Sequence, residues 1–459
     1  MGDVDQRILQ VNTLDSRGGA AQVALGLHRA FQRRGLDARM AVRFKSNDDP
    51  TIFALPNEEA RTWRSRTLLE LDAKLHSGRA PNSATKWASR LLRWSGEPGR
   101  AWEINRGLEN FSFPGTWRLL AEAGFQPDVI HCHNLHSGYF DLRALPWLSR
   151  VAPVVVTLHD AWLLSGHCAH SLDCERWRTG CGTCPDLTLP PAIHKDGTAE
   201  NWKRKQSIFA RSNLYVVAPS QWILERTRQS ILGPAIRGAR LIPHGVDLGV
   251  FRPDDRCAAR IALDLPVGAK IVAFVADRVQ TNAYKDWSTQ TRALERLAAS
   301  GKGDELVFLA IGGDEATSHV GPIEVRHVPY TNDPERLALY YRSADVLTHA
   351  ARAETFGLVI AEAQACGTPV IGSRVGGIPE IIRDGQTGLL VNPGDAAALA
   401  DAIGALLADP TRLAAFGAKA ACDAQARFDH QRQVDEHLDF YREAAADFAS
   451  RRKRRGMAH

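Results

Sequence analysis

Two glutamates, Glu354 and Glu362, have seven residues between them in the run RAETFGLVIAEAQACGTPVIG (352–372). Eight helical steps of ~100° would leave their side chains about 80° apart, too far to share a narrow stripe. A helix beginning near Gly357 resolves this, with Glu354 projecting from the loop before it and Glu362 from its second turn. The free backbone N–H groups at Phe356–Val359 then form an anion site between the two carboxylates, suited to a diphosphate. In the plainer alternative Glu354 is a helix N-terminal carboxylate and Glu362 a solvated one. The apolar flanks weigh against it, because they set Glu362 in a mostly buried helix, where an idle carboxylate is costly.

Histidine and cysteine offer the other candidate chemistry. His133 and His159 each close an apolar strand, and Asp160 follows His159. Taken alone, His159 is more often a hydrogen-bonded structural residue, and for His133 the structural and functional readings are even. Of eight cysteines, four fall in the pattern His167-Cys168-x5-Cys174-x6-Cys181-x2-Cys184. Four thiolates with one C-x2-C pair suit a structural zinc ion. Two disulfides in an oxidised preparation, or inert thiols, are the alternatives, and all three stay open. The scattered Cys132, Cys257, Cys366 and Cys422 read as small buried hydrophobes.

Positioning these groups requires a scaffold, and the chain reads as an α/β protein throughout. Short apolar runs alternate with helical patterns, the signature of parallel sheets. Expected strands are 7–12, 128–133, 153–159 and 214–219, then 271–276, 306–312, 325–329, 345–349, 369–373 and 388–391. Gly18 and Gly19 open a first helix, 20–34, and IPHGVDLGVFRP (242–253) is the best linker. Residues 1–238 and 239–425 thus form two Rossmann-like domains, with ligand expected beyond the carboxyl ends of the strands. A helical insertion (57–117) carries Trp63, Trp87, Trp94, Trp102 and Trp117, a cysteine loop spans 165–185, and a crossover helix (426–450) precedes a basic tail (451–459).

At 459 residues, 44% hydrophobic and 24% charged, the chain can bury sizeable cores, which excludes a disordered or disulfide-stapled protein. No run approaches the ~18 apolar residues of a membrane span, and no signal-peptide core follows Met1, so a cytoplasmic place is expected. Net charge is +5. The stretch 61–106 contributes ten cations against four acids, and RRKRR (451–455) adds five more. The remainder is net acidic, so an anionic partner would meet two local basic elements.

The Arg352–Val391 stretch resembles the E-x7-E region of retaining glycosyltransferases of family 4, which have the GT-B fold. The Gly18-Gly19 loop, PDVIHCHN (127–134), VVVTLHD (154–160), VVAPSQW (216–222) and IPHGVD (242–247) resemble the same family at matching places. The cysteine loop is similar to a bacterial subgroup building exopolysaccharide or other cell-surface glycans. The resemblance implies that Glu362 holds the donor's ribose hydroxyls and Glu354 those of the transferred sugar. Phe356, Gly357 and Leu358 amides would receive the diphosphate with Gly18 and Gly19 from the opposite domain. His159 would lie near the donor sugar and His133 on the acceptor side. A basic pair should contact the diphosphate, and here six residues separate Arg278 from Lys285 rather than about four, with Asp286 where the family has Gly.

The implied activity is transfer of a sugar, of hexosyltransferase type, from a nucleoside-diphosphate donor to a glycan or lipid-linked acceptor. The only D-x-D pair, Asp3-Val4-Asp5, lies at the terminus. Lys285, Arg278 and helix N-termini must therefore neutralise the leaving group, with no catalytic cofactor. The Trp-rich insertion is either a helical cap or a peripheral membrane contact. Competing functions are a GT-B sugar-nucleotide epimerase or phosphorylase and, more remotely, a zinc-dependent nucleic-acid-binding protein. The net acidic remainder disfavours nucleic acid as a partner.

Overall fold

The first strand, β1 (Arg7–Leu14), pairs in parallel with β2 (Asp37–Phe44) on one side and β4 (Val129–Cys132) on the other. With β3 (Ile52–Ala54), β5 (Val154–Thr157), β6 (Leu214–Ala218) and β7 (Ile236–Leu241) they form a seven-stranded sheet ordered β3-β2-β1-β4-β5-β6-β7. This is seen in a computed structural model that describes residues 6–76, 83–303, 305–313 and 315–456. A second seven-stranded sheet comprises β8 (Lys270–Val275), β9 (Leu306–Ile311), β10 (Ser318–Val320), β11 (Ile323–Val328), β12 (Val346–His349), β13 (Val370–Ser373) and β14 (Gly388–Val391). Its order is β10-β11-β9-β8-β12-β13-β14, parallel except for β10.

Every residue of β4, β5, β6, β9, β12 and β13 is buried. Helices cover both faces of these strands, so they read as unbroken apolar runs. The chain reverses its order across each sheet at β1/β4 and at β8/β12, the two places where doubly wound sheets bind ligands. The fold is GT-B.

Four strands, β2, β3, β7 and β10, lie outside the sequence expectation. DARMAVRF and IRGARL interrupt their apolar residues with arginine because both lie toward sheet edges. The expected domain boundary at 238 falls inside β7, whose pairing with β6 runs to Leu241. The linker that follows is tied at Val246 to Phe428 and His430, where the chain crosses back. The terminal helix, His430–Gly456, then packs Val434, Leu438 and Tyr441 into the first domain's core. It continues into the expected tail as far as Gly456, and there Arg451 contacts Asp447 and Tyr215.

The insertion folds into helices Trp63–His76, Ser83–Gly96 and Pro98–Asn105. Its inner end is a cap: Glu109 pairs with the fully buried Lys205 and accepts from Trp162 Nε1 at 2.7 Å. Lys205 also donates to the carbonyls of Trp162 and Ser165, fixing the start of the cysteine loop. Its outer surface exposes Trp63 (77%), Trp87 (68%), Trp94 and Trp102.

Candidate functional site

The glutamate region is built as the spacing predicts. A helix spans Leu358–Ala365, and Gly357 precedes it at φ +103°, a conformation that disfavours any side chain. The first helical hydrogen bonds run from Ile360 and Ala361 to the Gly357 carbonyl. The Leu358 and Val359 amides are therefore left at the helix N-terminus without an intrahelical partner. Phe356 supplies an apolar wedge, its ring edge-on to His244 and Phe428.

Glu362 lies in the second turn and is buried, accepting from Tyr341 Oη at 2.8 Å. Burial pushes its carboxyl up to about 7. Glu354 sits in the preceding loop, fixed by the turn Gly376-Gly377. A Cβ on Gly376 would meet the Glu354 carbonyl oxygen at 1.8 Å, and the Gly377 amide donates to that oxygen at 3.0 Å. Lys285 forms an ion pair with Glu354, and His349 Nε2 lies 3.2 Å from the same carboxylate and 3.0 Å from Lys285 Nζ. Burial alone would raise the Glu354 carboxyl, but Lys285 and His349 hold it well below the usual range. Burial and the neighbouring Lys285 lower His349 to about 4, leaving a neutral imidazole.

Gly18 and Gly19 face this helix across the cleft. Gly18 adopts φ +91° and opens the helix Gly19–Arg33. Both line a cavity of about 320 Å³ with Asp277, Tyr330, Leu358 and Glu362. The Gly18 amide donates to Tyr330 Oη at 3.1 Å, and Arg17 pairs with Asp277 at 2.7 Å. The two reversal points therefore form the opposite walls of one site.

His159 follows β5 by two residues and stacks on His244 from the linker, with centroids 5.0 Å apart. His133, expected on the acceptor side, is buried. It is 2% exposed and lies behind His159, because its ring hydrogen-bonds to both Gln10 and His159. Arg278 also fails to join the cluster: it stands 71% exposed beside Asp277, while Lys285 alone reaches Glu354. Sequence reasoning missed His349, His244, Tyr341, Tyr330 and Gln10. Only His244 carried a signal, its place in IPHGVD.

The four loop cysteines line one small cavity of about 20 Å³ with His167 and Trp177. Burial pushes the Cys168 and Cys181 thiols up to about 11. All eight cysteines are unbridged, and among the described residues no three His, Cys, Asp or Glu side chains are gathered to hold a metal ion. Cys132 and Cys366 are buried as expected of small hydrophobes, but Cys257 and Cys422 are exposed on helix surfaces. The D-x-D pair lies outside the described residues.

Two families match the chain: Glycosyltransferase Family 4 over residues 17–250 and Glycosyl transferases group 1 over residues 269–409. A D-inositol 3-phosphate glycosyltransferase of Catenulispora acidiphila is 33% identical, covering 69% of this chain and 72% of its own. The D-inositol 3-phosphate glycosyltransferase of Mycobacterium avium is 32% identical, covering 76% and 79%. Among solved structures, the sucrose-phosphate synthase of Thermosynechococcus elongatus superposes with a TM-score of 0.65 at 21% identity, covering 96% of this chain and all of its own. Anabaena HepE in complex with UDP-glucose gives 0.59 at 18% identity, covering 94% and 99%. At these identities the structural likeness is one of fold.

Proposed function

The chain belongs to glycosyltransferase family 4 and is an enzyme of that type, and from this premise we propose that it moves a sugar from a nucleoside-diphosphate donor seated in the interdomain cleft. One observation carries the reading: a carboxylate suited to a ribose diol, unpaired helix amides and a facing Gly-Gly loop share one cavity. The amides of Leu358 and Val359 and the Gly18-Gly19 loop receive the diphosphate. Lys285 must divide its charge between that diphosphate and Glu354. As the donor bond breaks, negative charge grows on the leaving phosphate and positive charge on the sugar. The amides and Lys285 stabilise the first, and Glu354 the second. Transfer with retention, by front-face attack, is the expected course. Three carboxylates at the cleft are already partnered, Glu354 by Lys285, Asp277 by Arg17 and Glu362 by Tyr341, which favours catalysis without a divalent ion.

For the acceptor we infer a glycan or lipid-linked saccharide of cell-surface biosynthesis, supported by the outward tryptophans and cations of residues 57–117, which suit an anionic membrane surface. No helix among the described residues is long and apolar enough to cross a membrane. The relatives' names favour a second acceptor, D-inositol 3-phosphate. A screen of UDP-, GDP- and ADP-sugars for nucleotide release, repeated with each acceptor class, tests the reading. Release with no donor sugar would defeat the donor assignment. Stimulation by D-inositol 3-phosphate alone would replace the glycan acceptor.

A further inference from the structure

Five imidazoles stand in file beneath the cleft: His437, His131, His133, His159 and His244, with successive centroids 5.5, 4.1, 5.2 and 5.0 Å apart. Hydrogen bonds give the middle of this row a direction, and the direction starts at Gln10, fully buried on β1. Its Nε2 lies 3.1 Å from the Ala24 carbonyl oxygen, which can only accept. The nitrogen rather than the oxygen of the amide must therefore face that way. The same nitrogen lies 3.2 Å from His133 Nε2, so that ring atom accepts and carries no proton. A neutral His133 then bears its proton on Nδ1, 2.9 Å from His159 Nε2, which accepts in turn. A neutral His159 is left with its proton on Nδ1, the ring nitrogen without a hydrogen-bond partner among the described residues, on a side chain that is only half-buried.

We propose that Gln10, acting through His133, is a positioning residue that fixes His159 as a neutral Nδ1–H donor toward an oxygen of the bound substrates. This deepens the family reading of His159 and rests on it for the identity of the oxygen, but the tautomer itself does not. The Gln10 Oε1 is buried without a partner, so the amide's contribution here is its two N–H donors. Burial lowers His159 and His437 to about 4 and the other three rings below their ordinary values, so none adds a cation to the row. Asp160, the acid next to His159, is engaged by His136 at 2.7 Å and does not draw a proton onto the row. A neutral donor holds a substrate oxygen without opposing the positive charge that the transferred sugar acquires. An imidazolium there would oppose it.

The test reads tautomers directly, by two-bond 1H–15N correlation on the full chain labelled at histidine nitrogens, with His159→Asn assigning the signals. Wild-type His133 and His159 should both carry the Nδ1 proton at neutral pH. In Gln10→Glu the carboxylate can only accept, so both rings should reverse to Nε2–H and His159 should offer the cleft a lone pair. Donor turnover should then fall about tenfold, the scale of one neutral hydrogen bond, with nucleoside-diphosphate affinity held within about twofold. Gln10→Met, which keeps the volume but removes the N–H donor, should mix the tautomers and serves if the glutamate variant does not fold. An Nε2–H or doubly protonated His159 in the wild type, or tautomers unmoved by both variants, overturns the proposal. Reversal with turnover intact overturns the positioning role of Gln10. Absence of turnover with every donor would instead sink the transferase reading and leave the tautomer result standing.

Discussion

Glu362→Gln should make the protein more stable and bind nucleoside diphosphate less well, and both effects should depend on pH. The carboxyl is buried with one hydroxyl donor, and its value rises from 4.5 to about 7. Below 4.5 the folded and unfolded chains are both protonated and no cost exists. Between 4.5 and about 7 only the unfolded chain ionises, so the fold loses stability as pH rises. Above 7 the cost levels off at about 3 kcal/mol, taking roughly 1.4 kcal/mol per unit. Glutamine keeps the shape and the acceptor for Tyr341, so it should recover most of this at pH 8 and under about 1 kcal/mol at pH 5. Binding runs the other way. A carboxylate accepting two ribose hydroxyls is worth about 1.5–3 kcal/mol more than a weakly bonded neutral group, or about 10- to 150-fold in affinity. At pH 6 some nine-tenths of wild-type Glu362 is protonated, so its affinity should drop about tenfold from the pH 8 plateau, while the variant stays flat. Calorimetric titration with nucleoside diphosphates at pH 6, 7 and 8, beside thermal melts at pH 5 and 8, reads both. A wild-type affinity independent of pH, or a variant less stable at pH 8, refutes the assignment.

Glu354→Gln should leave diphosphate affinity within about threefold or tighten it, since Lys285 is released, and lower kcat instead. A variant that lost diphosphate binding with kcat intact would reverse the two glutamates' roles. Lys205→Met strands the Glu109 carboxylate beneath Trp162 and should cost about 3–5 kcal/mol in urea melts, with Glu109→Gln added recovering most of it. An additive double variant would mean that the pair is not coupled. Donor turnover should survive excess EDTA, and activity restored only by Mg²⁺ or Mn²⁺ would contradict the charge assignment. Binding to anionic liposomes should be salt-sensitive and weaken on Trp63→Ser with Trp87→Ser. Equal binding to neutral vesicles would leave residues 57–117 as a cap alone.

The parallel strands were legible because burial on both faces writes them as pure apolar runs, as in IVAFV and VVVT. The strands that escaped carry a solvated face: DARMAVRF places arginines between its core residues, and IRGARL adds a glycine as well. Glu354 and Glu362 were legible for a different reason, since a helix start must fall between them to make sense of their spacing. Their partners were not. Tyr341 reaches Glu362 from another helix, His349 reaches Glu354 from the end of β12, and Gln10 meets His133 across 123 residues. The first and last of these depend on how helices and strands are ordered in space, which local pattern does not encode, while His349 meets Glu354 only because the short loop between them folds back. Arg278 shows the converse: a residue type that the resemblance expects at the diphosphate stands exposed beside Asp277, and only the folded loop reveals this.

The groups proposed to receive the donor also join the two domains, which would tie catalysis to closure. Gly18 donates to Tyr330 and Arg17 pairs with Asp277 across the mouth of the cavity. On the far side, Ser220 donates to the Thr355 carbonyl, and Glu380 accepts from the Gln221 and Trp222 amides at the start of a first-domain helix. Thr355 and Glu380 flank Glu354 and the Gly376-Gly377 turn that seats it. Opening the cleft would strip Glu380 from a helix N-terminus and loosen the loop that aims Glu354, so the closed arrangement alone presents both glutamates and the Gly-Gly loop to one ligand. A diphosphate placed between Gly18 and Leu358 would then bridge the same two walls that Tyr330 and Arg17 already draw together. Donor binding and domain closure are thus expected to reinforce each other through a shared set of amides and charges.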